Sequence, residues 1–148
     1  MFLPCGGGDL RVWSQRLAPL RSAEFHLYDR EQSPETEVRR QIVADINRRP
    51  NCRAVLTNKR SLENYLHPHA IAESGAGEIE FGDDDPVAIL VARRGFERLT
   101  STTTWAGLSR RAKRRFMNRV KRCLNTVAIE HMSLALLAER DPGGEVLG

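Results

Sequence analysis

Four side chains in this sequence have types and spacing suited to divalent-cation chemistry. Asp29 and Glu31 end the apolar run 25–28, and Ser61 and Glu63 follow a second apolar run, 52–57. Carboxylates brought together repel one another unless a cation or basic side chains neutralise them. A ligand set made only of oxygens suits Mg²⁺ or Mn²⁺ rather than zinc. Asp29, Glu31 and Glu63 are the expected metal ligands.

The elements that must position these groups can be read from the same segments. Phe25-His26-Leu27-Tyr28 has the character of a short strand with Asp29 at its exit, the edge where α/β proteins build their sites. Arg30-Glu31-Gln32-Ser33-Pro34 reads as a loop into a helix that Ser33 caps and Pro34 begins. The second run is also strand-like, and Asn58-Lys59-Arg60-Ser61-Leu62-Glu63 carries it into another helical start. As neighbours in one parallel sheet, the two strands would bring Asp29, Glu31 and Glu63 together.

Around them, glycine turn, helix, strand, helix, strand and helix alternate as a parallel sheet requires. Asp9 is placed to cap the first helix, whose Leu10, Trp13 and Leu17 share a face. Val38, Ile42 and Ile46 form the stripe of the second helix, which ends near 47–51.

The stretch 25–71, with Tyr28-Asp29-Arg30-Glu31 and Lys59-Arg60-Ser61-Leu62-Glu63-Asn64-Tyr65-Leu66, resembles the Toprim domain of the OLD-type (overcoming lysogenization defect) ATP-dependent endonucleases. That resemblance implies an Asp-x-Asp motif at Asp29 and Glu31, and a Ser-x-Glu motif at Ser61 and Glu63. Together they would bind a pair of divalent ions that cut a phosphodiester backbone. One ion would activate the attacking water and the other stabilise the leaving oxygen, with Ser61 orienting a ligand or touching the phosphate.

Glu31 departs from the family's second Asp by one methylene. The family's opening strand ends in a Glu-Gly pair, whereas Phe2-Leu3-Pro4-Cys5-Gly6-Gly7-Gly8 looks like the second strand and its turn. The chain therefore reads as an N-terminally truncated Toprim core over 1–75, with a helical extension over 76–148. No Gly-x-x-x-x-Gly-Lys-Ser/Thr loop occurs, and the resemblance to ATP-dependent enzymes implies an ATPase domain or subunit as a partner.

In the extension, Glu73 to Glu78 is loop-like, and Asp85-Pro86 offers a cap and first-turn proline for a helix over 87–99. Ser101-Thr102-Thr103-Thr104 reads as a connector. A long amphipathic helix should follow, with Phe116, Val120, Cys123, Leu124 and Val127 as its apolar stripe, and it breaks at Asp141-Pro142-Gly143-Gly144. Arg110, Arg111, Lys113, Arg114, Arg115, Arg119, Lys121 and Arg122 lie on this helix, largely off the stripe. They suit the phosphates of DNA, with Arg110, Arg111, Arg114 and Arg115 as backbone contacts, or else form a solvated helix face. Lys113 is a candidate to neutralise charge developing on a phosphate, as are Lys59 and Arg60.

The 148 residues and net charge of +4 fit one small globular core. There is no apolar run of about 18 residues and no leader-like start, so the expectation is a cytoplasmic chain without a membrane partner. Cys5, Cys52 and Cys123 are odd in number and widely spaced, which favours reduced thiols over disulfides or structural zinc.

Two other readings stand beside the nuclease. One is a catalytically incomplete Toprim-like module that binds nucleic acid or an ATPase. The other is an aspartyl-nucleophile phosphatase, with Asp29 as nucleophile, Thr57 and Lys59 at the second strand end, and Asp83-Asp84-Asp85 as late acidic ligands.

Overall fold

Two five-residue strands, β1 (Glu24–Tyr28) and β2 (Cys52–Leu56), pair in parallel in a computed structural model of the chain. Their register runs from Glu24 opposite Cys52 to Tyr28 opposite Leu56. The structure describes residues 10–16, 18–99 and 103–146. The expected strand and glycine turn at 2–8, Cys5, the Asp9 cap, Leu17, and Ser101 and Thr102 of the connector lie outside the described residues, as does the Trp13 side chain.

A parallel pair needs a crossover, which α2 (Glu35–Asn47) supplies. Ile42 and Ile46 pack with Tyr28 and Ala54 in a small core joined by Leu10 of α1 (Leu10–Gln15). The inward face of α2 runs through Thr36, Ile42 and Ile46, with Arg39 and Val43 half-buried beside them. Val38 falls off that face and is 48% exposed. Pro34, not Ser33, holds the N-cap position of α2, and Ser33 instead donates to the Glu37 carboxylate (2.7 Å). At the other end of α2, the Asn47 amide donates to the Ala54 carbonyl (3.0 Å) and accepts from its N–H (2.7 Å). Both backbone groups of Ala54 are thereby satisfied by a side chain instead of a further strand.

The chain divides into two compact units, 1–58 and 59–148. The boundary expected from sequence lay at 75/76. Residues 59–75 belong with the second unit because Leu66 and Ile71 are part of its core, with Val87, Val91, Leu124 and Ala128.

This second unit is helical. A 3₁₀ turn at Leu62–Tyr65 leads to α3 (Pro68–Ile71), which runs into a wide turn at Ala72–Ala76. α4 (Val87–Leu99), α5 (Arg110–Leu124), α6 (Val127–Glu130) and α7 (Leu134–Arg140) follow. Gly77 has φ 88°, a positive-φ conformation that favours glycine.

The Asp85 carboxylate accepts from the Gly82 N–H (2.7 Å) and closes the turn before α4, in place of the expected side-chain cap. α5 is capped by Ser109, whose hydroxyl accepts from the Ala112 N–H. It stops at Leu124, so Val127, expected on its stripe, opens α6. Among the described residues, no helix is long and apolar enough to cross a membrane.

Candidate nucleic-acid interface and the carboxylate loops

In the first unit, the exit of β1 is held by Thr57, whose N–H donates to the Tyr28 carbonyl and whose hydroxyl accepts from the Arg30 N–H, each at 2.9 Å. Beyond it, Arg39 donates to the Asp29 carbonyl (2.7 Å) and sets its guanidinium 3.8 Å from Glu31. Glu31 has φ 56°, the left-handed region uncommon for a side chain of its size. Its carbonyl accepts from the Thr36 hydroxyl (3.2 Å). Asp29 and Glu31 thus share a tied strand-to-helix loop, with a cation from α2 beside them. Arg39 was not singled out from sequence, because nothing in its spacing says that α2 turns it back toward the β1 exit.

Ser61 and Glu63 lie in the second unit. Asn64 is fully buried, and its side-chain oxygen accepts from the Ser61 N–H (3.1 Å) and hydroxyl (2.8 Å). Its amide donates to the carbonyls of Gly82 (2.9 Å) and Asp85 (3.1 Å). Ser61 is therefore engaged in the start of the 3₁₀ turn. Glu63, on the same turn, is 8% exposed.

The cations near this motif are held by the loop before α4. Lys59 pairs with Asp83 and lies 5.4 Å from the Tyr65 ring centroid, and Arg60 donates to the Asp84 carbonyl (3.2 Å). Arg140 donates to the Asn64 carbonyl (2.8 Å), approaches Asp83 (3.8 Å) and covers the Phe81 ring. Among the described residues, no three His, Cys, Asp or Glu side chains gather as a metal-binding group. The oxygen donors are right in kind for Mg²⁺ or Mn²⁺, with Asp29 and Glu31 in the first unit and Glu63 in the second.

The two faces of α5 are chemically distinct. Phe116, Met117, Val120 and Leu124 turn inward: Leu124 is fully buried, Met117 and Val120 pack on the core, and Phe116 meets Phe96 and Trp105 edge-on. Lys113, the candidate to neutralise charge developing on a phosphate, shares this side and donates from Nζ to the Ala106 carbonyl (3.0 Å). The opposite face carries Arg110, Arg111, Arg114, Arg115, Arg119, Lys121 and Arg122, all exposed. None of these seven forms an ion pair among the described residues, and α5 contains no acidic residue.

A charged network on β1 was not anticipated from sequence. Glu24, His26 and Tyr28 share one side of the strand. His26 Nε2 donates to Glu24 (2.8 Å) and, in that tautomer, Nδ1 accepts from the Tyr28 hydroxyl (3.1 Å). Arg49 completes the chain by pairing with Glu24 and donating to the Ser14 carbonyl (2.7 Å). The alternation Glu-x-His-x-Tyr was the available signal, but it lay inside a run that reads as apolar. His67 and His69, two apart, serve a local cap: His67 Nδ1 accepts from the His69 N–H at the start of α3.

The molecule is a mixed α/β protein with a small two-stranded parallel sheet and a helical unit. Set against known proteins, the chain matches no family, no curated protein and no solved structure.

Proposed function

We propose that this chain binds the sugar–phosphate backbone of nucleic acid through α5. The observation that carries this reading is the exposed face of seven cations, none in an ion pair among the described residues, on a helix with no acid. An ordinary solvated helix interleaves opposite charges at three- and four-residue spacing, because like charges there are destabilising. Here Arg111, Arg115 and Arg119 repeat at four-residue intervals without relief, as do Arg110 and Arg114. Arg110, Arg111 and Lys113 also crowd the first turn, where the helix dipole disfavours cations. Such an arrangement works against folding and becomes favourable once a polyanion releases its counterions to it.

The direct test is DNA and RNA retention by the wild-type chain and by a variant with Arg110, Arg111, Arg114 and Arg115 all changed to Glu. Retention that falls steeply with salt and is lost in the variant is expected. Equal retention by both proteins excludes α5.

A second reading is phosphodiester hydrolysis by a Toprim-like module related to OLD-type endonucleases. It is favoured by Asp29 and Glu31 on a tied loop at the carboxyl end of a parallel strand, with Glu31 in a sparsely populated conformation. Asp29, Glu31 and Glu63 are its metal residues, Mg²⁺ or Mn²⁺ its ions, and an ATPase its partner. Cleavage of supercoiled DNA in Mg²⁺, Mn²⁺ or Ca²⁺, compared with Asp29→Ala and Glu63→Ala, tests it. Metal-dependent cutting lost in both variants supports the nuclease. Backbone binding without cutting in any lane leaves a binding module.

A further inference from the structure

We infer that α5 lies lengthwise in the major groove of duplex DNA, with Asn118 and Arg111 directed at base edges and the remaining cations on the two phosphate walls. This rests on the reading of α5 as a nucleic-acid-binding helix and specifies what that helix recognises.

The inference comes from how charge is distributed around the helix. At 3.6 residues per turn, Arg110, Arg114 and Lys121 form one flank of the exposed face, and Arg115, Arg119 and Arg122 form the other. Between them runs the line Arg111–Asn118, two positions seven residues apart. Asn118 is exposed, forms no hydrogen bond among the described residues, and has Arg114, Arg115, Lys121 and Arg122 three or four positions away. Two cationic flanks with a hydrogen-bonding ridge between them match two phosphate walls with a floor of base edges. A ligand with a single line of charge would engage one flank and leave the other unopposed.

Size agrees with this placement. A helix of 15 residues is about 22 Å long and 10–12 Å across with side chains, and the major groove of B-DNA is about 12 Å wide. The composition of the ridge also suits base reading. An Asn amide pairs with the N6 and N7 edge of adenine, and an Arg guanidinium with O6 and N7 of guanine.

Other polyanions fit this helix less well. Single-strand binding uses aromatic platforms on which bases stack, but the one aromatic of α5, Phe116, is turned inward against Phe96 and Trp105. A bilayer surface needs a free apolar face beside the cations, whereas Met117, Val120 and Leu124 are committed to the core. The deep, narrow major groove of A-form RNA does not admit a helix.

The experiment is fluorescence anisotropy of the whole chain with labelled duplex DNA, single-stranded DNA and duplex RNA of equal length, over about 50–200 mM salt. Sequence preference is read by competition between duplexes of different base composition. Duplex DNA is expected to bind at least about tenfold tighter than the other two ligands. Arg114→Ala and Arg122→Ala, one from each flank, should weaken binding to every duplex and each reduce the salt slope by about one. Asn118→Ala should leave the salt slope unchanged while flattening the preference among duplexes by about fivefold or more. Unchanged circular dichroism keeps these surface variants interpretable.

Equal affinity for duplex DNA, single strands and duplex RNA, or a sequence profile untouched by Asn118→Ala, overturns the groove placement while backbone binding stands. No binding to any nucleic acid at the lowest salt brings down the proposed function itself.

Discussion

On the inward side of β1, Glu24 has a side chain only 4% exposed, and it meets Arg49 on one oxygen and His26 on the other. Along α5, seven cations stand in solvent without one carboxylate among them. The first arrangement is what a folded chain requires of a buried charge, since an ion withdrawn from water without a partner is costly. The second serves no folding requirement and, by repulsion at four-residue spacing, opposes it. Charge that stabilises its own fold is paired internally, and charge left over on a helix is available to a ligand. This difference directs attention to α5 rather than to the carboxylate loops, whose cations, Arg39 and Lys59, already have acids beside them.

The largest effect should come from the inward side of α5 itself, which fixes what the helix contributes to folding. Leu124 is fully buried among Val87, Val91 and Ala128, so Leu124→Ala should cost about 3–4 kcal/mol. Urea denaturation measures it. Arg111→Ala, on the outer side of the same helix, should shift the midpoint little, and a comparable loss would mean that the cationic face is structural after all.

Next in size is the β1 network. Arg49→Ala leaves the Glu24 carboxylate buried with His26 alone and also removes the bond to the Ser14 carbonyl. About 3 kcal/mol of stability should be lost. Changing Glu24→Gln in the same chain should restore part of it, because the uncompensated charge is then gone. If the double variant is no more stable than Arg49→Ala, the pairing is not what stabilises this strand.

Much of the scaffold was legible in the sequence, and the reasons differ by element. Both strands, α2, α4 and the basic helix follow from apolar spacing together with proline, asparagine and serine punctuation, which are local signals. Side-chain bonds that replace an expected cap were not legible: Ser33 turns to Glu37 and Asp85 to Gly82 because hydroxyls and carboxylates have several backbone and side-chain partners within reach. The division at 58/59 was hidden for a different reason. Leu66 and Ile71 carry no mark of which core they join, and that choice is made by contacts with α4 to α6, far along the chain. Of the candidate site, the α5 cations were visible as a run, but their lack of partners is a property of the whole second unit. The tie from Arg39 to the Asp29–Glu31 loop depends on how α2 folds back, which no motif encodes.

A smaller effect sharpens the reading of α5 as charge that works against folding. Arg115→Glu places an acid between Arg111 and Arg119 at four-residue spacing, turning two repulsions into two attractions. Stability should rise by about 0.5–1 kcal/mol, while affinity for nucleic acid falls. A variant that both destabilises the chain and preserves binding would reverse the argument on each count.

The smallest effect concerns a charge that is partnered yet fully in solvent, between the two extremes. The Ser33 hydroxyl donates to Glu37 and, with the residue's own N–H and the more distant Arg40, holds its carboxyl below the ordinary glutamate range. A carboxyl lowered in the folded state binds fewer protons there than in the unfolded chain. Its contribution is therefore present above the unfolded pKa and disappears as pH falls through the folded one. Ser33→Ala removes the leading cause, so the Glu37 titration followed by carboxyl ¹³C NMR should move upward toward the ordinary value. The acid side of the stability profile should change only slightly, because solvent screens an exposed group. An unmoved Glu37 midpoint would assign the shift to the N–H and Arg40 instead, and would show that an exposed bond of this kind does not hold a charge in the way that Arg49 holds Glu24.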